Sequence, residues 1–69
     1  MGNDTTDRML KWFEFSHLPT NLQEVSRPFS ELAVKITQRV DPGPERTVSL
    51  RKLLESKDAA VRALVHPGG

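Results

Sequence analysis

The sequence contains no cysteine, so neither a disulfide nor a thiolate metal site can brace it. Its two histidines, His17 and His66, stand far apart, without the His-x-x-x-His spacing that sets two ligands on one helical face. No apolar run approaches the roughly 18–20 residues that a membrane span needs. The opening stretch Met1 to Asp7 is polar and acidic, unlike the start of a secretory signal. Charge of one sign is lacking too. Ten basic residues stand against nine acidic ones, whereas a protein that coats DNA carries a basic excess. There is no glycine-rich phosphate loop, since Gly43 and the terminal glycines only punctuate helices. Nor is there a nucleophile–base–orienter set, because Ser16 beside His17 is adjacency in sequence and not a triad. The expectation is a protein with no catalytic residues, no metal and no cofactor.

What is present reads as a single all-α domain over residues 1–69. A core this small rarely supplies more than about 3–5 kcal/mol, and with no covalent or metal staple the remaining remedy is self-association. Asp4 to Thr6 offers capping side chains for a short helix over about residues 5–14, carrying Met9, Leu10, Trp12 and Phe13. Pro19 breaks it, because the residue before a proline is pushed towards extended geometry. Thr20-Asn21-Leu22-Gln23 has capping-box spacing and opens a second helix over about 20–40. Its apolar residues Leu22, Val25, Phe29, Leu32, Ala33, Ile36 and Val40 trace one helical face. That spacing continues in phase across Pro28, so the expectation there is a kink and not a break. Asp41-Pro42-Gly43-Pro44 is a compact turn, and Pro44 with Glu45 suits the start of a third helix over about 44–65. Its apolar face is Leu50, Leu53, Leu54, Ala60, Val61, Leu64 and Val65. A turn this short forces the two long helices antiparallel, as an αα-hairpin. Two helices cannot cover each other's apolar stripes completely, which also argues for a compact homo-oligomer.

Lys57 falls near the centre of the third helix's apolar face. It reads as a lysine whose stem lies on the core rim while its charge reaches water, or as a polar contact where subunits meet. Trp12, Phe13 and Phe15 crowd four positions before the Ser16-His17-Leu18-Pro19 break. Trp12 and Phe13 are expected to pack onto the hairpin as core. Phe15, at the helix end, can instead stand beside a pocket and stack on a nucleobase, which is worth about 1–3 kcal/mol. Arg27 stands on the polar face one residue before Pro28, while Arg46, Arg51 and Lys52 lie in the first turns of the third helix. A helix N-terminus and arginine's planar fork both suit anions. The plainer reading of each cation is a solvated charge paired with Glu31, Glu45 or Glu55, and that of His17 is a turn residue.

Taken in order, Phe13-Glu14-Phe15-Ser16-His17-Leu18-Pro19, Ser26-Arg27-Pro28-Phe29-x-x-Leu32-Ala33 and Pro44-Glu45-Arg46-Thr47-x-x-Leu50-Arg51-Lys52 resemble the helical hairpin domain of phage anti-CBASS sponges. The C-terminal hairpin of the Thoeris anti-defence sponges is similar. The resemblance covers roughly residues 8–63. It implies a compact homo-oligomer, typically a hexamer, in the cytoplasm of the infected bacterial host. Such a protein sequesters cyclic oligonucleotide immune messengers without cleaving them, so that the effector is never switched on. The implied partners are cyclic dinucleotides such as 3',3'-cGAMP, with cyclic trinucleotides at a separate site, and neither DNA nor membrane. The family's aromatic near the end of the first helix maps onto Phe15, which has lost the hydroxyl of the more usual tyrosine. Its basic residue early in the second helix maps onto Ser26 or Arg27, and charge selects Arg27. Phe13 and His17, on either side of Phe15, join the candidate ligand contacts, and Thr47 and Arg51 are the candidates for a trinucleotide. Two other classes compete with the sponge: a helical adaptor that docks a partner helix, and, more weakly, a DNA-binding regulator using the third helix.

Overall fold

A computed structural model describes residues 8–68 of the chain. The capping residues expected among Asp4 to Thr6, and the start of the expected first helix, lie outside the described residues. Three elements follow one another: a 3₁₀ helix Arg8–Phe13, helix α1 Thr20–Arg39 and helix α2 Pro44–Val65. The described residues contain no strand. The two long helices, of 20 and 22 residues, pack as the expected hairpin, and the 3₁₀ helix lies against both.

The first element is a 3₁₀ turn, which suits a stretch only six residues long. Its three-residue repeat puts Leu10 and Phe13 on one side. Phe13 is 1% exposed and Leu10 packs against the same cluster. Trp12 shares an edge of that turn with Met9, which packs against the core, yet is itself 56% exposed, so the expectation that its ring is core is corrected.

The capping box at Thr20 does not form, because Thr20 is already helical and Pro19 takes the N-cap position with φ −57° and ψ 155°. The backbone N–H groups of Leu22 and Gln23 both donate to the Pro19 carbonyl, at 3.0 and 2.9 Å. Gln23 instead turns its side chain back on the preceding loop. Its Nε2 donates to the carbonyls of Leu18 at 2.7 Å and Ser16 at 3.3 Å. α1 then runs unbroken through Pro28 to Arg39, and Val40 ends it in extended geometry.

The core is narrow. Among the described residues the buried apolar side chains are Phe13, Ala33 and Leu50, flanked by half-buried Met9, Leu10, Phe29, Ile36, Leu53 and Leu54. Successive residues of an α-helix advance about 100°, so Ser26, Ala33 and Thr37 share one line, and these are the buried residues of α1. Small side chains there let the two backbones approach, with Leu50 enclosed together with Ala33. The apolar stripe of α1 is centred roughly 70° round from that line. Its outermost member, Leu32, is consequently 47% exposed, while Val40, equally exposed, has already left the helix in extended geometry. Leu64 and Val65, near the end of α2, are 40% and 50% exposed.

Arg46, expected as a solvated or anion-binding cation, is only 6% exposed. Its Nη1 donates to the Val40 carbonyl at 2.9 Å and to the Thr37 carbonyl at 3.3 Å. The last carbonyls of a helix have no partner within it. Here the first turn of α2 supplies one to the end of α1 and ties the Asp41–Pro44 turn shut.

Candidate functional site

The loop that joins the 3₁₀ helix to α1 places the candidate residues. Phe13, its last anchored ring, is enclosed, while the chain after it turns at the surface. The Leu18 N–H donates to the Phe15 carbonyl at 3.0 Å, closing a turn over residues 15–18. That turn leaves Phe15 half-buried and His17 exposed. From the other side of the loop, α1 brings Arg27 over Phe15, with its Cζ 5.5 Å from the ring centroid. A guanidinium within about 6 Å of an aromatic centroid is attracted by the ring. Arg27 itself is exposed, so its guanidinium N–H groups can reach an acceptor from solvent. Among the described residues Arg27 meets no carboxylate, so the plainer expectation of an ion pair with Glu31 is not met.

Residues that are distant in sequence thus meet in space, and the neighbouring Ser26 does not join them. Ser26 is 0% exposed, pointing into the hairpin, and its Oγ has no hydrogen-bond partner. Of the two positions that could align with a basic ligand contact, only Arg27 reaches solvent. Phe13 lies beneath the site in the core and holds the loop, but its ring is not presented to a ligand within one chain.

Thr47 and Arg51, both exposed, belong to a different region. Thr47 donates its hydroxyl to the Gly43 carbonyl at 3.2 Å, in the first turn of α2. Arg46 fixes that turn to Thr37, which lies ten residues, or roughly 15 Å, along α1 from Arg27. The fold does not gather Thr47 with Phe15 and Arg27. Lys52, also exposed, is 3.9 Å from Glu55.

A second cluster, unforeseen as a unit, flanks the same loop. Lys11, Trp12, His17, Lys57, Asp58 and Arg62 line an open cleft of about 460 Å³. Lys11 Nζ stands 5.1 Å from the Trp12 ring centroid. The side chain of Lys57 is 13% exposed and its Nζ meets Asp58 at 2.9 Å. Lys57 is therefore a lysine with a covered stem and a paired head at the cleft rim. Lys57's place on an apolar face is the sequence feature that marks this cleft, and Asp58 supplies the partner its charge needs.

Comparison with known proteins adds no relative: no family model matches the chain, and no curated protein or solved structure does.

Proposed function

We propose that the chain is a binding protein that sequesters cyclic oligonucleotides without cleaving them, with Phe15 and Arg27 as its principal ligand contacts. The supporting observation is the meeting of these two residues at 5.5 Å, on a loop and a helix, at the surface. A ring for a base and a guanidinium for a phosphate are the two elements that a nucleotide ligand requires, and in this reading Arg27 swings off the ring it covers here to let a base stack on it. The resemblance to the anti-CBASS sponges singles out the same two residues and supplies the ligand class, cyclic dinucleotides such as 3',3'-cGAMP. A cyclic dinucleotide has near two-fold symmetry, and an isologous interface presents each residue twice. One Phe15 and one Arg27 from each of two chains then furnish two stacking faces and two phosphate forks. Thr47 and Arg51, at a distance from this pair, are assigned to a separate cyclic trinucleotide site in the same reading. The assembly is a homo-oligomer, a hexamer in the family's usual form, acting in the host cytoplasm.

Titration calorimetry with a panel of cyclic di- and trinucleotides tests the reading, together with heat release and chromatography of the bound ligand. Intact ligand is expected after heating. Phe15→Ala removes stacking worth about 1–3 kcal/mol per base, and Arg27→Ala removes charge-assisted bonds of about 1.5–3 kcal/mol each. With two copies per ligand, either change weakens binding by roughly 30-fold or more, since 1.4 kcal/mol is tenfold. Variants that bind like wild type move the site elsewhere. A wild type that binds nothing in the panel returns the chain to the adaptor reading, and cleaved ligand makes it an enzyme.

A further inference from the structure

The hairpin has two long grooves, one on either side of the plane through α1 and α2. The 3₁₀ helix covers one of them, since Lys11 and Trp12 line a cleft with Lys57, Asp58 and Val61. The other groove has no cover among the described residues. Its α1 wall is Val25, Phe29, Leu32 and Ile36, about 60–120° round from the buried line of Ser26, Ala33 and Thr37. Leu32 is 47% exposed, and the other three are half-buried. A shallow depression bounded by Leu32, Lys35, Ile36 and Arg39 marks its far end.

We propose that this groove is a self-association face, on which α1 of one chain packs antiparallel against α1 of a second copy. The spacing of Val25, Phe29, Leu32 and Ile36 is four, three, four, the repeat of a coiled-coil seam. An antiparallel pair with its two-fold axis between Ser30 and Glu31 sets Val25 opposite Ile36 of the second copy, and Phe29 opposite Leu32. In that register every apolar residue of the seam meets another.

Charge complementarity selects a second copy as the occupant. Glu24, Glu31, Lys35 and Arg39 lie on one flank of the seam, and Glu31, which nears its own copy at the axis, has Lys35 one turn away on its own helix. With the two-fold at that place, Glu24 of each chain stands level between Lys35 and Arg39 of the other. The symmetry makes this match twice, at both ends of an apolar centre, as an isologous interface demands. A core with three buried apolar side chains among the described residues gives the same chain a reason to be covered. Arg27 points about 100° to the opposite side of the buried line, so the seam and the Phe15–Arg27 pair do not share a surface. The inference is therefore independent of the nucleotide reading.

The test is light scattering of the whole chain without any nucleotide, with helical circular dichroism recorded in parallel. Wild type at micromolar concentration is expected to show at least two chains. Leu32→Glu, placed where the side chain is already half exposed, should at least halve that mass while helicity is kept. Glu24→Lys should weaken association at least tenfold, and adding Lys35→Glu with Arg39→Glu should restore it. A monomeric wild type overturns the proposal, as does a Leu32→Glu variant of unchanged mass. Charge variants whose effects simply accumulate, with no rescue, overturn the proposed register and with it the pairing.

Discussion

Arg46 is the residue whose loss the structure makes most informative. It lies 6% exposed at the foot of α2 and donates to the carbonyls of Val40 and Thr37, at 2.9 and 3.3 Å. Both acceptors sit at the end of α1, where the helix dipole is negative and a cation adds about 0.3–1 kcal/mol. Hydrogen bonds to a charged group are worth about 1.5–3 kcal/mol each, and the longer of these two belongs at the low end. Arg46→Met keeps most of the buried stem but removes the Nη1 donor of both bonds. The expected destabilisation is about 2–4 kcal/mol, comparable with the roughly 3–5 kcal/mol that a core of this size supplies. Urea unfolding followed by helical circular dichroism measures it, at one fixed protein concentration because association stabilises by mass action. Arg46→Lys, which can reach one carbonyl, should fall between wild type and methionine. A methionine variant within about 0.5 kcal/mol of wild type would refute the reasoning, because water would then serve the two carbonyls as well as the guanidinium does.

Three further changes test the packing. Leu50→Ala empties the best-enclosed aliphatic site, at 0% exposure, and should cost about 2–5 kcal/mol by chemical denaturation, with half-buried Leu54→Ala costing less. Ser26→Ala removes a buried hydroxyl that has no partner. Since a buried unsatisfied polar group costs about 1–3 kcal/mol, the variant should unfold at higher urea, and a lower midpoint would show that Ser26 is bonded after all.

The hairpin was legible because its signals are local. Proline and glycine punctuate the turn at Asp41–Pro44, and both helices end within a residue of where the apolar spacing fades. What escaped depended on rotation and on pairs distant in sequence. The apolar stripe of α1 shows which side is greasy, but Ser26, Ala33 and Thr37 decide which side faces α2, because small residues permit the closest approach. Trp12 is exposed although Met9, on the same edge of the 3₁₀ turn, packs on the core, and sequence spacing over six residues does not tell the two apart. The spacing of Gln23 suits a Thr20 cap, yet its amide finds the carbonyls of Ser16 and Leu18, a loop geometry that sequence does not reveal. Arg46 looked like its neighbour Arg51, and only the closure of the turn separates a buried tie from a surface charge. For the site, the type and order of Phe15 and Arg27 were readable, whereas their meeting follows from the turn over residues 15–18.

The proposed seam and the Phe15–Arg27 pair lie on opposite flanks of α1, and this separation has a consequence for assembly. If each flank makes its own isologous contact, every chain carries two different two-fold interfaces. Two such axes that intersect at about 60° close after six chains, while axes that do not intersect give an open fibre. A hexamer of the kind the resemblance implies then needs no third contact, only that angle. Breaking one interface should leave the other intact. Leu32→Glu is therefore expected to reduce a six-chain particle to pairs that still bind a cyclic dinucleotide with wild-type affinity, because the pocket belongs to the unbroken flank. Light scattering before and after ligand addition, with calorimetry on the same sample, reads both properties. Pairs that bind support two separate interfaces. Monomers that have lost binding would mean that the seam builds the pocket, and the two flanks would then have to be treated as one surface.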